Sequence, residues 1–260
     1  MMNLKLLNNL LVSEKLLREL IYFEEIDSTN SYSKKKNQED NTLVITSHQT
    51  AGTGRFGRSW YSSKNKNLTF TLIKCFKIGV DEIHLVNFYS SYILFLTLKI
   101  FLEEFKVLDI ILKWPNDILI NRKKVAGILL EVKDLNYELK KFIIGFGLNV
   151  NQEKFSEDIS DKATSLINET KTEINREKLL TLFVNLFYDN LNLLSEKSDL
   201  INLWIESSKI KGKVIEFKQF EDDKEKKATI INIDSDGGLR VKFQDGQIVK
   251  FFSGEIRMLY

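Results

Sequence analysis

Residues 109–150 have the sequence DIILKWPNDILINRKKVAGILLEVKDLNYELKKFIIGFGLNV. In this stretch, short apolar runs rich in isoleucine, leucine and valine are separated by polar and turn-forming residues. Apolar runs of this length between turn residues are typical of buried strands. The stretch therefore predicts a succession of strands at 109–114, 117–121, 124–132 and 141–150.

Two more strands and two helices are predicted on either side of this stretch. Residues 42–49 and 67–76 have the β-branched and aromatic content of strands. Residues 82–105 are apolar over a length that suits a buried helix, and Asn175 is placed to cap a second helix over 176–194. Because strands and helices are mixed without regular βα alternation, we predict an α+β fold, with a mixed sheet and packed helices.

The C-terminal part of the chain has a different pattern. Short runs of strand composition alternate there with turns that contain Gly-Gly or Asp-Gly pairs, which is typical of β-hairpins. These runs are 213–217, 228–233, 239–243 and 247–252. We predict a small β-barrel from them and divide the chain into domains at 1–208 and 209–260.

The composition is that of a folded protein, with 43% hydrophobic and 28% charged residues. Lys and Arg total 38 and Asp and Glu total 36, so the net charge of +2 gives no bulk attraction to nucleic acid or to a membrane surface. Cys75 is the only cysteine and there are two histidines, which argues against a disulfide framework and against cysteine- or histidine-rich metal sites. We expect Cys75 to be a small core residue in a reducing compartment.

The first 20 residues are rich in leucine but lack the features of a signal peptide. Asn8 and Asn9 interrupt the apolar run, and Glu14 and Lys15 follow within a few residues. We predict an amphipathic helix here. No other window holds the roughly 18 uncharged apolar residues of a membrane span, so we expect a cytoplasmic protein without a membrane partner.

Residues 52–57, GTGRFG, match the pattern of a phosphate-binding glycine loop. A dinucleotide-binding fingerprint would open a helix, whereas a loop and then a strand are predicted after this motif, and the other kinase motifs are absent from the chain. The glycines can bring backbone N–H groups close to an anion, and Arg55 and Arg58 can clamp phosphate oxygens. Taken alone, the segment is equally consistent with a flexible surface turn that carries solvated arginines.

The loop is one of five motifs in the chain, which are EIDSTN at 25–30, HQTAGTGRFGRSW at 48–60, KWPND at 113–117, KVAGIL at 124–129 and GFGLNV at 145–150. Their order and spacing resemble those of biotin protein ligases, and the resemblance extends from about residue 24 to the C-terminus. The KWPND motif and the Gly/Arg loop are the most specific of them.

The resemblance implies an enzyme that joins biotin to ATP, releases pyrophosphate, and transfers biotin from biotinyl-5′-AMP to a lysine of a carboxylase's carrier domain. It also implies that 1–208 is the biotin- and ATP-binding catalytic domain and that 209–260 is an SH3-like β-barrel. The implied biotin-site residues are Ser28, Thr29, Asn30, Gln49, Gly52, Thr53, Gly54, Arg55, Lys124, Gly127 and Gly145. The implied ATP-site residues are Arg55, Arg58, Trp60, Asn116, Lys124 and Asn149, with Trp60 on the adenine side.

The chemistry of this reaction agrees with these residue types. Joining a carboxylate to an α-phosphate brings two anions together, so fixed cations are the main catalytic need. Lys124, Arg55 and Arg58 can supply them. ATP chemistry commonly uses Mg²⁺, and Asp117 is a candidate either as its ligand or as a partner that orients Lys124. Asp117 is also the candidate group to assist deprotonation of the acceptor lysine.

The loop departs from the common family pattern at two positions. Thr53 stands where arginine is more common, and Phe56 where a basic residue is frequent. The loop therefore carries two fewer positive charges, and retention of the adenylate is expected to depend more strongly on Arg55.

The resemblance also bears on partners. The carrier domain of acetyl-CoA carboxylase or of a related carboxylase is the expected protein substrate, and a homodimer is a further possibility in this family. The 27 residues that precede the Ser-Thr-Asn motif are too few for a winged helix-turn-helix domain. We therefore expect ligase activity without DNA binding or repressor function.

Two alternative functions remain open from the sequence. A lipoate ligase would use a related domain and the same acyl-adenylate chemistry, but the KWPND motif and the Gly/Arg loop followed by Trp60 favour biotin. A binding module that senses biotin without turnover is disfavoured because residues suited to ATP are present.

Overall fold

The structure is a computed structural model that describes residues 2–13, 16–36, 38–105, 109–134, 136, 139–218, 226–252 and 254–258. Within these residues, the α-helices are α1 (Leu4–Asn8), α2 (Thr29–Lys36), α3 (Ile83–Phe101), α4 (Leu166–Thr170), α5 (Arg176–Asp189) and α6 (Lys197–Ser208). The strands of the larger sheet are β1 (Glu19–Phe23), β2 (Thr42–Thr46), β3 (Leu68–Lys77), β4 (Ile110–Lys113), β5 (Asp117–Ile120), β6 (Lys123–Asp134) and β7 (Leu139–Leu148). The smaller sheet contains β8 (Val214–Lys218), β9 (Lys226–Ile233), β10 (Leu239–Phe243), β11 (Ile248–Phe251) and β12 (Glu255–Met258).

The larger sheet has the strand order β1-β2-β3-β7-β6-β5-β4. Its β1 and β2 are parallel and every other neighbouring pair is antiparallel, so the sheet is mixed. The predicted strands at 109–114, 117–121, 124–132 and 141–150 are β4 to β7. The α+β fold class is thereby confirmed.

The two faces of the central strands have different roles. Phe70 on β3 and Phe146 on β7 stack with ring centroids 4.9 Å apart, and both contact Phe183 of α5. Because side chains alternate along a strand, Thr69 and Thr71 of β3 point to the opposite face. One face is therefore the hydrophobic core under the helices, and the other is available for a polar site.

The apolar segment 82–105 forms α3, which ends at Phe101. Its length and composition alone would permit a membrane span, but 61% of the relevant window is buried in the structure. Phe88 of α3 packs edge-on against Trp204 of α6, and Trp204 donates a hydrogen bond to Ser91 Oγ at 2.9 Å. These contacts are those of a core helix.

The predicted capping of α5 is confirmed, because Asn175 Oδ1 accepts the Lys178 N–H at 2.9 Å. The helix ends at Asp189, five residues earlier than predicted, and a 3₁₀ turn occupies Leu191–Leu194. At the N-terminus the predicted amphipathic helix is shorter and irregular, with α1 followed by a π-helical turn at Asn9–Ser13. Glu14 and Lys15, which were included in that prediction, lie outside the described residues.

The C-terminal strands form one antiparallel sheet in the order β11-β10-β9-β8-β12. This adds one strand, β12, to the four predicted, and a small β domain after the larger sheet is confirmed. A turn of this sheet contacts the larger unit. Gly237 has φ 77° and lies against the His84 and Phe88 rings, and its carbonyl accepts the Trp114 indole N–H at 3.4 Å. The domain boundary at residue 209 stays a prediction.

Candidate active site

A cleft of about 920 Å³ lies on the open face of the larger sheet. Small-molecule pockets usually have volumes of roughly 300 to 1,000 Å³, so this cleft is large enough for two substrates held together. All but one of the predicted site residues line it. They are Ser28, Thr29, Asn30, Gln49, Thr53, Gly54, Arg55, Arg58, Trp60, Asn116, Asp117, Lys124, Gly127, Gly145 and Asn149.

Gly52 is the exception, because it lies behind the wall of the cleft. Its carbonyl accepts the Trp60 N–H at 2.8 Å. A Cβ atom at this position would lie 2.4 Å from the Trp60 carbonyl oxygen and 2.6 Å from Gln49 Nε2. Gly52 therefore contributes by letting the loop pass close to Gln49.

One end of the cleft is a buried network of hydroxyl and amide groups that ends at the Glu131 carboxylate. The Thr29 N–H and hydroxyl both donate to Gln49 Oε1, at 2.9 and 3.1 Å. The Thr71 hydroxyl lies 2.8 Å from Thr29 Oγ1 and 2.6 Å from Asn30 Oδ1 and can donate to either. Asn30 Nδ2 in turn donates to Glu131 Oε2 at 3.1 Å. This end is suited to a neutral ligand group that both donates and accepts hydrogen bonds.

A row of residues without bulky side chains forms the floor of the cleft across four strands. The strand register aligns Thr69 of β3, Gly147 of β7, Gly127 of β6 and Asp117 of β5. Glycine at two of these positions removes the side chains that would fill the cleft. Trp60 packs directly on Gly147, where an added Cβ would lie 2.3 Å from the indole Cε2.

Lys124 and Asp117 form an ion pair in the middle of the cleft, with Lys124 Nζ 2.7 Å from Asp117 Oδ1. The Lys124 side chain passes over Gly127, where an added Cβ atom would lie 3.1 Å from Lys124 Nζ. Its backbone is held by the chain at 162–164, because Lys124 N donates to Lys162 O and Thr164 N donates to Lys124 O. The ammonium also lies 5.5 Å from the centroid of the Trp60 ring. These contacts direct one cation to the centre of the floor.

The glycine and arginine loop forms a short hairpin over the cleft. Gly54 N donates to Arg58 O at 2.7 Å, and Trp60 N donates to Gly52 O at 2.8 Å. Arg55 Nη1 reaches across to Asn116 Oδ1 at 3.2 Å, and Asn116 Nδ2 donates to the Ile128 carbonyl of β6. The segment is therefore tied to the floor through Arg55, which disfavours the interpretation as a solvated surface turn.

Three polar atoms of residues that line the cleft are buried and have no hydrogen-bond partner among the described residues. They are Trp60 Nε1, Thr69 Oγ1 and Asn149 Oδ1, and the first two lie beside the floor row that contains Gly127 and Asp117. Buried polar atoms are almost always paired in native proteins. These three residues line the cleft, so a bound ligand with its own donors and acceptors can satisfy them.

The cleft concentrates positive charge. Its charged lining residues are Arg55, Arg58, Lys113, Arg122, Lys124 and Lys162 against Asp117 and Asp161. This set has a net charge of +4 in a chain whose total is +2, so the rest of the chain is net negative. Among the described residues there is no group of three or more His, Cys, Asp or Glu side chains that could hold a metal ion. The site is therefore suited to a polyanion, and any divalent ion would need ligands from that anion.

Several residues of the site were not predicted from the sequence. Thr69, which lines the cleft, and Thr71, which lies behind it and bonds to Thr29 and Asn30, could have been found by combining strand alternation with the pairing of β3 and β7. Arg122 is the last residue of a turn and has φ 71°. Neither it nor Lys162 lies within one of the five sequence motifs, so nothing in the local sequence identified them.

Comparison with known proteins agrees with this geometry. The model of the biotin/lipoate A/B protein ligase family matches residues 22–149. The biotin–[acetyl-CoA-carboxylase] ligase of Paracoccus denitrificans is 30% identical over 166 residues, which cover 62% of this chain and 68% of that protein. The chain belongs to the biotin protein ligase family.

Other members of the biotin protein ligase family match more of this chain or have higher identity. The structure resembles that of the Aquifex aeolicus biotin protein ligase in complex with biotin and ATP, with a TM-score of 0.73 and 27% identity, covering 94% of this chain and 99% of that one. The bifunctional ligase/repressor BirA of Bacillus subtilis is 33% identical over 171 residues, which cover 64% of this chain. The chain spans about half the length of that relative, 51%.

Proposed function

We propose that the protein is a biotin protein ligase, which activates biotin with ATP and transfers it to a lysine of a carrier protein. The observation that carries this proposal is a single cleft that combines a network of hydroxyl and amide groups at one end, the Lys124–Asp117 pair on its floor, and three unsatisfied polar atoms of other lining residues. Biotin has a ureido ring at one end and a carboxylate at the other, so it matches the first two of these features.

In the proposed binding mode, the ureido group lies against Ser28, Thr29, Asn30 and Gln49. Its carbonyl oxygen and N–H groups then face hydroxyl and amide groups that can both donate and accept. The biotin carboxylate extends toward Lys124, above the glycine floor. This mode leaves the unsatisfied atoms near Trp60 and Asn149 for the adenine base of ATP.

The first chemical step joins two anions. A carboxylate oxygen of biotin attacks the α-phosphorus of ATP, the bond between that phosphorus and the bridging oxygen breaks, and pyrophosphate leaves. Lys124 and Arg55 are placed to stabilise the charge that develops on the phosphate oxygens. The net charge of +4 on the lining residues also favours binding of the triphosphate.

Mg²⁺ bound together with ATP would supply further positive charge to the phosphate groups. Asp117 is the single predicted protein ligand, and its Oδ1 is in contact with Lys124 at 2.7 Å. That contact favours the role of Asp117 as the partner that orients Lys124. Direct ligation of Mg²⁺ by Asp117 is the alternative, and the two roles predict different effects of the same substitution.

In the second step, the ε-amino group of the acceptor lysine attacks the carbonyl carbon of the biotinyl adenylate, and AMP leaves. The acceptor must lose a proton, and the Asp117 carboxylate is the proposed group to assist. The proposed protein substrate is the biotin carboxyl carrier domain of acetyl-CoA carboxylase or of a related carboxylase. A cytoplasmic location and a homodimeric state are also proposals, which cell fractionation and light scattering can test.

Pyrophosphate release with ATP and Mg²⁺ and either biotin or lipoate tests the proposal. We expect release with biotin, and biotinylation of a purified carrier domain when it is added. Release with lipoate alone would replace the proposed substrate by lipoate. Tight biotin binding without release would make the protein a sensor rather than a ligase.

A further inference from the structure

Phe56 has a backbone conformation that is unusual for its side chain. It lies in the 3₁₀ turn Arg55–Gly57 with φ 58° and ψ 30°, in the left-handed region. Bulky residues rarely adopt this conformation, in which Gly and Asn are far more common. Hydrophobic burial does not compensate, because 56% of Phe56 is exposed. Another interaction must favour a phenylalanine at this position.

The two neighbouring arginines provide that interaction. Arg55 Cζ lies 5.0 Å and Arg58 Cζ 5.8 Å from the centroid of the Phe56 ring, both within the range of a cation–π contact. One ring thus holds two like-charged guanidinium groups that would otherwise repel each other. Arg58 is fixed further by its backbone N–H and its Nε, which both donate to the Arg55 carbonyl.

The arginines held in this way face the cleft. Both line it, and Arg55 donates to Asn116 on the floor. Phe56 itself is largely exposed and is not one of the residues that line the cleft. The aromatic ring therefore sets the direction of two cations without touching the substrate.

We propose that Phe56 is a positioning residue that holds Arg55 and Arg58 over the acyl-adenylate intermediate until the acceptor arrives. The proposal rests on the proposed function, because it concerns retention of a mixed anhydride between a carboxylic acid and a nucleoside monophosphate. Loss of the ring removes one contact from each guanidinium group and leaves Arg55 bonded to Asn116, so both cations are held less firmly and the intermediate escapes faster. The polar network at the other end of the cleft is unaffected, and the KM for biotin stays the same.

The test compares Phe56→Asn, which suits a left-handed backbone but lacks the ring, with Phe56→Tyr, which keeps the ring. Phe252→Asn is a matched control, because Phe252 is 64% exposed and has Lys250 Nζ 5.6 Å from its ring centroid but does not line the cleft. Each variant is incubated with biotin, ATP and Mg²⁺ in the presence of serum albumin. The measurements are pyrophosphate release, the KM for biotin, and biotin labelling of albumin by escaped adenylate.

We expect Phe56→Asn to label albumin about tenfold faster, as for loss of two exposed cation–π contacts. Phe56→Tyr and Phe252→Asn are expected to match the wild type, and thermal unfolding is expected to change little. Equal labelling of albumin by Phe56→Asn and the wild type, or equal acceleration by Phe56→Asn and Phe56→Tyr, would overturn the positioning role of the Phe56 ring. Either result would leave the proposed function standing. Absence of pyrophosphate release from the wild type would overturn the proposed function and this inference together.

Discussion

Lys124 Nζ and Asp117 Oδ1 lie 2.7 Å apart on neighbouring strands of the cleft floor. The pair places one cation where the substrate carboxylate and the α-phosphate must meet. We expect Lys124→Ala to lower the rate of pyrophosphate release by about 100-fold or more, as for removal of an electrostatic stabiliser. Lys123→Ala is the control, because Lys123 Nζ donates to Ser160 O at 3.3 Å outside the cleft. Near-normal turnover of Lys124→Ala would show that the reacting groups lie elsewhere.

Asp117→Asn separates the two proposed roles of this carboxylate. The substitution keeps the shape and a hydrogen-bond acceptor but removes the charge that holds Lys124. If Asp117 orients Lys124, we expect turnover to fall about 10-fold, the difference between a charge-assisted and a neutral hydrogen bond. The Mg²⁺ concentration that gives half-maximal activity is then unchanged.

Titration of Mg²⁺ against turnover is the measurement for this variant. Asp161→Asn, which removes the other carboxylate of the cleft, is the control for the loss of one negative charge. A large rise in the Mg²⁺ requirement of Asp117→Asn alone would instead identify Asp117 as a metal ligand.

Most of the larger fold could be predicted because its strands are strongly apolar and its turns are clearly marked. The segment that became β4 to β7 contains the only proline and several polar turns, which separate the strands. Four elements of the larger unit were not predicted. β1 is short and half-exposed, α2 has the polar sequence TNSYSKKK, and α4 spans only five residues, so none of these three shows clear hydrophobic periodicity. The segment of α6 was not assigned, although its buried residues Leu200, Ile201 and Trp204 recur at helical spacing.

The site residues in sequence motifs could be predicted, but their contacts could not. Thr29 and Gln49 are 20 residues apart, and their hydrogen bonds require β1, β2 and α2 to be packed together. The Arg55 contact with Asn116 spans 61 residues. Such contacts depend on strand register and tertiary packing, which a single sequence does not specify.

Arg55→Gly is expected to loosen the loop over the cleft. The substitution removes the hydrogen bond to Asn116 and one of the cations that face the adenylate. We therefore expect the adenylate to escape and to label lysines of a bystander protein, while pyrophosphate release continues at a lower rate because one stabilising cation is lost. Biotin incorporation into serum albumin and into the carrier domain is measured side by side. Labelling confined to the carrier domain would show that the loop does not retain the intermediate.

His84 links the stability of the contact between the two sheets to pH. Burial lowers the pKa of His84 below its usual 6.5, despite the opposing effects of the Ser235 carbonyl and of Asp236 and Glu82. The folded state therefore resists protonation of His84. The contribution of neutral His84 to the free energy of unfolding is present above pH 6.5 and is lost as the pH falls through its lowered pKa.

We expect the thermal unfolding midpoint to fall from pH 7.5 to pH 5 by more in the wild type than in His84→Gln. Hydrogen bonds hold the pKa of Glu82 and of Asp236 below their usual values, so both carboxylates stay ionised over this range. An identical pH dependence of the unfolding midpoint in the two proteins would show that protonation of His84 does not destabilise the folded state.

Gly145 and Gly147 lie two residues apart on β7, and each makes room for a different part of the cleft. An alanine Cβ at Gly145 would lie 2.3 Å from Asn30 Oδ1, and one at Gly147 would lie 2.3 Å from Trp60 Cε2. We expect Gly145→Ala to raise the KM for biotin about tenfold and to change the KM for ATP little. We expect Gly147→Ala to raise the KM for ATP by a similar factor and to change the KM for biotin little. The clash at Gly145 displaces Asn30, which faces biotin in the proposed binding mode, and the clash at Gly147 displaces Trp60, which faces ATP. Because both substitutions add a single methyl group to the same strand, each is the control for the other. A parallel loss of both affinities in either variant would mean that the two ends of the cleft are not occupied separately.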